Sequence, residues 1–335
     1  MRKTEIVRAW GSILIGRRPS LSIEIARECP LRCPGCYAYE DGHVSGLNLR
    51  QLQDKRGSEL VNGVLELVDR HRPLHVSLVG GDPLVRFREL NELLPLLEKR
   101  GIYVQLVTSA FREIPLEWAS IPRLNIVVSI DGLQPEHDAR RKPATYDRIL
   151  RNIRGHRITI HCTITGQMMK RPGYIEEFLE FWKAQSEIWR IWMSMFTPQK
   201  NTQAPEILSQ PERLEAVQEL LRLRRIYPKL KMTEAAILAF LRPPQSPEQC
   251  IFAQTTRNIS ADLKSEITPC QFGGTPDCSQ CGCAASVGLA ALGDYHLGMG
   301  LTAGHLYLAS TAVGRTVNKV RAARQQSLER VPQPG

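Results

Sequence analysis

Three cysteines close to the amino terminus are the residues of this sequence with the clearest chemistry. Cys29, Cys33 and Cys36 lie within eight residues, on a segment that also contains two prolines and a glycine. Thiolates this close in the chain can converge on one metal centre. A [4Fe–4S] cluster normally takes four thiolates, so three would leave one iron with an open position. A zinc loop that borrows a fourth ligand, or three structural cysteines, are the alternatives to this interpretation.

A second set of cysteines lies towards the carboxyl terminus and has a spacing typical of metal sites. It consists of Cys250, Cys270, Cys278, Cys281 and Cys283. We expect the first four to be the ligands, with Cys283 as the alternative to Cys281. Either a further [4Fe–4S] cluster or a zinc ribbon fits this spacing. Cys162 stands apart from both sets, and we expect it to be buried as a small hydrophobic side chain.

The net charge of +10 comes mostly from the two ends of the chain. Residues 1–18 hold five basic side chains and one acidic one, and residues 315–335 have the same balance. A groove for nucleic acid would need its basic residues on the folded body, so we expect no nucleic-acid partner. The charged ends suit a solvated tail, an anionic membrane surface or an acidic protein partner.

Hydropathy predicts neither a signal peptide nor a membrane span. Arg17 and Arg18 interrupt the short apolar segment at residues 13–15. The weakly charged stretch at residues 284–314 contains Asp294 and six glycines, which makes it too polar and too broken to cross a bilayer. We therefore expect a cytoplasmic protein, in which nine cysteines indicate metal sites or reactive thiols rather than disulfides.

The elements that position these residues alternate along the first 200 residues. The β-rich segments predict six strands, at residues 21–25, 75–79, 103–108, 125–130, 158–164 and 188–196. Helical patterns lie between them, at residues 58–71, 87–100, 115–120, 146–154 and 174–185. This alternation predicts right-handed βαβ units and a parallel sheet, either open or closed into a full or partial barrel. In each case ligands bind where the strands end, and the first cysteines follow the first strand.

The pattern changes after residue 198, and we divide the chain accordingly. The predicted parts are a basic segment at 1–20, a core at 21–198, a helical linker at 199–247, a cysteine-rich segment at 248–285, and an apolar, then basic tail at 286–335. The linker contains two predicted helices, at residues 212–226 and 233–241.

The spacing C-x3-C-x2-C followed by Tyr37 resembles the signature of the radical S-adenosylmethionine (SAM) superfamily. The resemblance implies a partial (β/α)6 barrel in which the three cysteines hold a [4Fe–4S] cluster. Its open iron would bind the amino and carboxylate groups of SAM. An electron from the cluster would cleave the S–C5′ bond, and the 5′-deoxyadenosyl radical would take a hydrogen atom from a substrate. Tyr37 would pack near the adenine.

Motifs at the ends of the second and third predicted strands strengthen this resemblance. Gly80-Gly81-Asp82-Pro83 is similar to the family's G-G-E-P element, which contacts the SAM amino group. Asp82 is one methylene shorter than the family's glutamate, and we expect its carboxylate to keep the contact. Ser109 lies where the family has a T-N-G element, which implies that it lines the same pocket.

The end of the fourth predicted strand carries a third motif. Ser129-Ile-Asp131-Gly132, followed by Arg140 and Arg141, is similar to a stretch found in radical SAM enzymes with extra clusters. The resemblance implies that Ser129, near Asp131, and one arginine contact the ribose or carboxylate of SAM. We assign Arg140 to this role, and Arg141 is the alternative.

The second cysteine set resembles the twitch and SPASM extensions of this family. Residues 259–270 predict a small hairpin that closes at Pro269-Cys270, with Lys264 where the relatives have a turn glycine. Because only three cysteines follow Cys270, one auxiliary [4Fe–4S] cluster of the twitch type is implied.

The resemblance implies an enzyme that modifies a peptide or a small metabolite by hydrogen-atom abstraction, and the sequence identifies no catalytic acid or base. Reduced flavodoxin or ferredoxin is the expected electron donor, docking on the basic ends. The apolar stretch at 284–314, beside basic residues at 315–324, leaves a lipid or isoprenoid substrate at the membrane surface as an alternative. A non-catalytic iron–sulfur scaffold or electron carrier is the alternative from a different class.

Overall fold

A seven-stranded parallel sheet forms the centre of the computed structural model, which describes residues 3–298 and 300–329. Its strands are β1 (Ser20–Glu24), β2 (His75–Val79), β3 (Tyr103–Thr108), β4 (Leu124–Ser129), β5 (Ile158–Ile164), β6 (Ile188–Met195) and β7 (Thr256–Ile259). Their order in space is β6-β5-β4-β3-β2-β1-β7. The six predicted strands are confirmed to within one residue, and the fold is the predicted α/β class with a partial barrel.

The seventh strand was not predicted. β7 pairs in parallel with β1, so a segment from the predicted cysteine-rich part completes the edge of the core sheet. The chain then turns, and Ile259 forms an antiparallel bridge with Glu266, so the predicted hairpin exists and β7 is its first arm. The turn forms without a glycine because the Asp262 carboxylate accepts the backbone N–H groups of Lys264 and Ser265, and Leu263 takes a φ of 59°.

Twelve helices surround the sheet within the described residues. They are α1 (Lys3–Leu14), α2 (Gly57–His71), α3 (Phe87–Lys99), α4 (Gln134–Arg141), α5 (Tyr146–Asn152), α6 (Gly166–Met169), α7 (Tyr174–Lys183), α8 (Gln210–Ile226), α9 (Glu234–Leu238), α10 (Ile251–Thr255), α11 (Ala284–Gly293) and α12 (Ala303–Glu329). The predicted helix at 115–120 is a 3-10 turn, Leu116–Ser120. α4 was not predicted, because its sequence is strongly polar and only His137 is buried.

Alternation along the strands separates an apolar outer wall from a polar inner wall. In β4, Ile126 and Val128 belong to the hydrophobic core beneath the helices, whereas Asn125 and Ser129 flank them along the strand and remain partly exposed. Successive side chains of a strand point to opposite faces, so the second pair faces the inside of the curved sheet. Cys162 belongs to the outer set, buried in the core as predicted.

The two ends of the described chain pack against each other. Trp10 of α1 donates a hydrogen bond to the Ser310 hydroxyl of α12 over 3.0 Å. A short hairpin of β8 (His296–Gly298) and β9 (Leu301–Thr302) precedes α12. No helix among the described residues is long and apolar enough to cross a membrane. Arg2 and Arg330, two of the basic residues predicted to charge the ends, lie outside the described residues.

Candidate functional site

The first three cysteines lie on the loop that leaves β1 at the carboxyl edge of the sheet. Cys29, Cys33 and Cys36 are all partly buried, and each of the last two acts electrostatically on the first. Burial raises the pKa of Cys29 to about 12, and it also raises the pKa values of Cys33 and Cys36. The metal-free thiols are therefore protonated at neutral pH, and a metal centre bound here would displace those protons.

The two glycines after β2 let this loop approach the strand ends closely. Gly80 and Gly81 have φ values of 85° and 44°, a region that favours glycine. A Cβ atom on Gly80 would overlap with the side chain of Glu24 at the end of β1. A Cβ atom on Gly81 would overlap with the carbonyl oxygen of Glu28, which precedes the first cysteine. The glycines are thus needed for packing against the cysteine loop.

Asp82 joins the ends of β2 and β3. Its carboxylate is 2% exposed and accepts four hydrogen bonds. One oxygen accepts from the Leu84 N–H and the Thr108 hydroxyl, and the other accepts from the N–H and hydroxyl of Ser109. Burial raises the pKa of Asp82 against the opposing effect of these donors. Both oxygens are satisfied within the protein, so Asp82 has a structural role here, and its expected contact with SAM stays a prediction.

Asp131, beyond the end of β4, holds the two candidate arginines. Arg141 donates from Nε and Nη2 to both carboxylate oxygens, over 2.7 and 3.2 Å. Arg140 donates to the same carboxylate over 3.0 Å and to Glu206 over 3.0 Å. Burial works against ionisation, but Arg141 and Arg140 outweigh it and lower the pKa of Asp131 to about 2. Asp131 is therefore a carboxylate that fixes both guanidinium groups.

Both arginines reach the cysteine loop, in different ways. Arg140 donates a hydrogen bond to the carbonyl oxygen of Pro34 over 2.6 Å. Burial dominates the pKa of Cys33, and the charge of Arg141 is the strongest influence that opposes it. Burial also dominates the raised pKa of Cys36, and the charge of Arg141 opposes that rise. A cation beside cysteine thiols favours their thiolate form, which is the form that binds metal.

The second cysteine set surrounds one cavity at the mouth of the curved sheet. Five cysteines line this cavity, together with aromatic side chains and prolines: Cys250, Cys270, Cys278, Cys281, Cys283, Phe252, Phe272, Pro244, Pro247 and Pro276. The structure thus brings together the four predicted ligands and the predicted alternative. Gly282 N–H donates to the Thr197 hydroxyl, and the Met195 N–H donates to the Gly282 carbonyl, so this segment is fixed to the end of β6.

Neither cysteine set has the arrangement expected for one bound ion. Among the described residues, no group of three or more His, Cys, Asp or Glu side chains is placed to hold a single metal ion. A zinc ion would need its thiolates at about 2.3 Å from one point. The thiolates of a [4Fe–4S] cluster bind different irons, so they need not converge in this way.

Comparison with known proteins identifies the first half of this architecture. Residues 23–184 match the family model described as the Radical SAM superfamily. The chain contains a radical SAM domain. The match covers β1 to β5, the first cysteine loop, the two glycines and the Asp131–Arg141 pair. A radical SAM domain implies a [4Fe–4S] cluster and SAM as cofactors, and the three partly buried thiols beside Arg141 fit such a cluster.

Known proteins of several kinds resemble this radical SAM domain. The 7-carboxy-7-deazaguanine synthase of Hyperthermus butylicus is 32% identical over 104 residues, which is 30% of this chain and 39% of that protein. The structure of Streptococcus suis SuiB bound to S-adenosylmethionine has a TM-score of 0.52 and 17% identity, covering 77% of this chain and 60% of SuiB. Native anSMEcpe with bound AdoMet has a TM-score of 0.54 and 14% identity, covering 76% and 74%.

These relatives show the fold, and the chain spans less than two thirds of the first of them. It covers about two fifths of the deazaguanine synthase and three fifths of SuiB. The structural likeness extends beyond residues 23–184, since three quarters of this chain align with SuiB and with anSMEcpe. The fold of the radical SAM domain and of the segments attached to it is therefore shared with these structures.

The radical SAM domain contacts the second cysteine set through Tyr37. The Tyr37 ring lies edge-on to Phe272, with centroids 5.3 Å apart, and 5.6 Å from the ring of His43. Its pKa is raised by burial first, and Cys36, Cys283 and Cys270 also act on it. Tyr37 thus lies between the two cysteine sets, and its expected contact with adenine stays a prediction.

A buried polar connection, which sequence reasoning missed, runs beside Tyr37. Glu24, the last residue of β1, accepts hydrogen bonds from His43 over 2.8 Å and from the Ser260 hydroxyl over 2.6 Å. The other ring nitrogen of His43 faces the Phe272 carbonyl at 3.0 Å. Burial alone would lower the pKa of His43, but the hydrogen bond and charge of Glu24, together with the Phe272 carbonyl, outweigh it and raise the pKa. The sequence signal that could have revealed this connection is Glu24, a charged residue in an otherwise apolar, buried strand.

Proposed function

We propose that this chain is a radical SAM enzyme that reductively cleaves S-adenosylmethionine and modifies a substrate by hydrogen-atom abstraction. The observation that supports it most is the arrangement around Cys29, Cys33 and Cys36. Three thiols lie on one loop at the carboxyl edge of the sheet, packed against Gly81 and beside the cation of Arg141. A scaffold or electron carrier would instead hold its cluster with four thiolates at this site and would have no pocket for SAM.

The chain's own residues would prepare this site for its ligands. When bound and reduced, the cluster would supply the electron that breaks the S–C5′ bond of SAM. Breaking that bond would release methionine, and the 5′-deoxyadenosyl group would leave as 5′-deoxyadenosine after taking one hydrogen atom from the substrate. Arg141 would favour the thiolates of Cys33 and Cys36, and Asp131 would hold Arg141 in place. The curved sheet would enclose the reacting atoms and exclude water.

We further propose that the second cysteine set binds an auxiliary [4Fe–4S] cluster. Its five cysteines line one cavity, and Cys281, Cys250 and Cys278 act electrostatically on Cys270, so four thiolates could share one cluster. Tyr37 would lie between the two clusters, so electrons could pass between them at short range. Reduced flavodoxin or ferredoxin, acting on the basic ends of the chain, would supply electrons from outside.

For the substrate, we propose a peptide or a small metabolite. One SuiB structure is bound to precursor peptide SuiA, and it aligns with 81% of this chain at a TM-score of 0.55. A 7-carboxy-7-deazaguanine synthase, by its name, makes a small metabolite. A lipid is a second candidate because large apolar side chains are exposed around α12: Leu292, Tyr295, Leu297, Leu301, Leu306, Leu308, Val313 and Val320.

Anaerobic reconstitution tests the proposed reaction. The reconstituted protein is reduced with dithionite in the presence of SAM, and 5′-deoxyadenosine is measured by chromatography. We expect product from the natural chain and from Cys162→Ala, whose thiol lies in the hydrophobic core, and none from Cys33→Ala. Absence of product, or an equal yield from Cys33→Ala, would refute the assignment. Iron and sulfide content of Cys278→Ala, compared with the natural chain, distinguishes one cluster from two.

A further inference from the structure

One row of side chains crosses the inner wall of the sheet directly below the candidate cofactor site. In the strand registers, Ser129 of β4 lies opposite His161 of β5, and His161 lies opposite Trp192 of β6. All three are partly exposed, whereas their outward-facing neighbours Ile160 and Ile191 are buried in the core. Neighbouring strands lie about 4.8 Å apart, so the row is a continuous surface.

His161 is fixed in this row through one of its two ring nitrogens. Its Nε2 lies 2.6 Å from the hydroxyl oxygen of Ser194 on β6. That oxygen also accepts the backbone N–H of Ala284, the first residue of α11, over 3.1 Å. His161 Nδ1 has no hydrogen-bond partner among the described residues, and it is not sealed away from solvent. It therefore faces the inside of the curved sheet.

The hydrogen bonds of Ser194 favour one of the two neutral tautomers of His161. Burial lowers the pKa of His161 to about 4, so the ring is neutral near pH 7 and has one N–H. The Ser194 oxygen accepts from Ala284 and has its own hydrogen to donate, and His161 Nε2 is the acceptor in reach. With Nε2 accepting, the ring proton lies on Nδ1. His161 therefore presents an N–H donor to the interior.

The surroundings of this donor favour an oxygen acceptor. Arg190 lies below the row, with its guanidinium carbon 3.8 Å from the centroid of the Trp192 ring. Asp131 and, more weakly, Arg141 act on His161 with opposite charges, and the Asp131 carboxylate is itself bound by Arg140 and Arg141. The inner wall therefore offers a neutral N–H donor with the cation of Arg190 beside it, an environment complementary to a carbonyl or carboxylate oxygen.

We propose that His161 binds the substrate, its Nδ1–H donating a hydrogen bond to a carbonyl or carboxylate oxygen near the carbon that loses hydrogen. This inference rests on the proposed function, because it places the substrate beside the SAM-binding edge. Ser194 is then a positioning residue, because its hydrogen bond keeps His161 in the tautomer with the proton on Nδ1. The acceptor can be a peptide carbonyl or the carboxylate of a small acid, and the two are distinguished by separate probes.

Saturation-transfer NMR on the reconstituted, SAM-loaded protein tests this role without any turnover. The probes are N-acetylalanine N′-methylamide, which carries peptide carbonyls, and propionate, which carries a carboxylate. His161→Asn keeps an amide N–H near the position of Nδ1, whereas His161→Gln extends its amide towards Ser194 and leaves the Nδ1 position empty. We expect at least one probe to bind the natural protein and His161→Asn, and to bind His161→Gln about fivefold to tenfold more weakly.

A parallel measurement of SAM binding separates the substrate from the cofactor. We expect the same SAM dissociation constant for the natural chain and both variants, which also shows that the variants are folded. Probes that bind His161→Gln as well as the natural chain, or that bind neither, would overturn the proposal. Weaker SAM binding with unchanged probe binding would assign His161 to the cofactor and overturn it as well. Failure of the proposed function shows separately, as absence of 5′-deoxyadenosine from the natural chain.

Discussion

The ion pair between Asp131 and Arg141 is the best place to test the structure quantitatively, because the chain contains an exposed pair of the same geometry. Arg141 donates from Nε and Nη2 to both oxygens of Asp131, whose side chain is 13% exposed. Arg100 donates from the same two atoms to both oxygens of Asp69, over 3.1 and 3.3 Å, but Asp69 is 61% exposed. The two pairs differ in burial and in Arg140, which donates a second ion pair to Asp131. The matched substitutions Asp131→Asn and Asp69→Asn therefore compare a buried network with an exposed pair.

The expected magnitudes differ severalfold. Lowering the pKa of Asp131 from 3.8 to about 2 corresponds to roughly 2.5 kcal/mol of stabilisation of the charged form. Asp131→Asn also leaves Arg141 with an uncompensated charge, and breaking a buried pair costs about 3–5 kcal/mol. Since this pair keeps some exposure, we expect Asp131→Asn to lower the free energy of unfolding by about 2–4 kcal/mol. Asp69→Asn should lower it by less than about 1 kcal/mol.

Urea unfolding of the two variants and the natural chain, followed by circular dichroism, measures both values. The folded-state pKa of Asp131 lies below its usual value, so its stabilisation is complete above about pH 5 and is lost as the pH falls towards about 2. The difference between Asp131→Asn and the natural chain should therefore be constant from pH 5 to pH 8 and shrink below about pH 4. Equal effects of the two substitutions, or a difference that grows on acidification, would refute the reasoning.

Three further predictions follow from the same site and its surroundings. Gly81→Ala should lower the free energy of unfolding by about 2 kcal/mol or more, because the added Cβ would overlap with the Glu28 carbonyl. Gly101 is the control: its φ is also positive, at 71°, but an added Cβ would meet no atom within 4 Å, so Gly101→Ala should lower the free energy of unfolding by only about 1 kcal/mol. Iron incorporation per chain should rise between pH 7 and pH 9, since burial raises the pKa of Cys29 to about 12; a flat or falling profile would contradict this. A lipid substrate requires the protein to float with anionic vesicles but not with neutral ones, and a protein that floats with neither contradicts that candidate.

The sequence predicted the sheet well because each strand is short, apolar and separated from the next by a helical pattern. The first six strands lie within one residue of their predicted bounds. β7 was missed because Thr256–Ile259 is only four residues long and includes Arg257 and Asn258. Its place beside β1 depends on a contact more than 230 residues away in the chain. No local pattern reports such a pairing.

The candidate site was predictable as far as its residues lie in motifs. The cysteines and the glycines of residues 80–81 come together as their spacing suggested, whereas the partners of Asp82 could not be read from the sequence. The shorter carboxylate finds donors on β3, at Thr108 and Ser109, and both of its oxygens are occupied there. The partners of Arg140 and Arg141 were equally invisible, because both side chains bind Asp131 through contacts that only the folded chain creates.

The contacts between the two cysteine sets bear on how an enzyme of this design would control its electrons. Phe272, two residues after Cys270, contacts Tyr37 with its ring and His43 with its carbonyl oxygen. His43 in turn bonds to Glu24 at the end of β1, where Ser260 also binds. Both ring nitrogens of His43 face oxygen atoms, those of Glu24 and Phe272, so the ring is held from both sides. The second cysteine set is thus joined to the first strand of the radical SAM domain through a sealed polar connection. A change of charge at either set acts on the other through low-dielectric surroundings, where electrostatic coupling is strong.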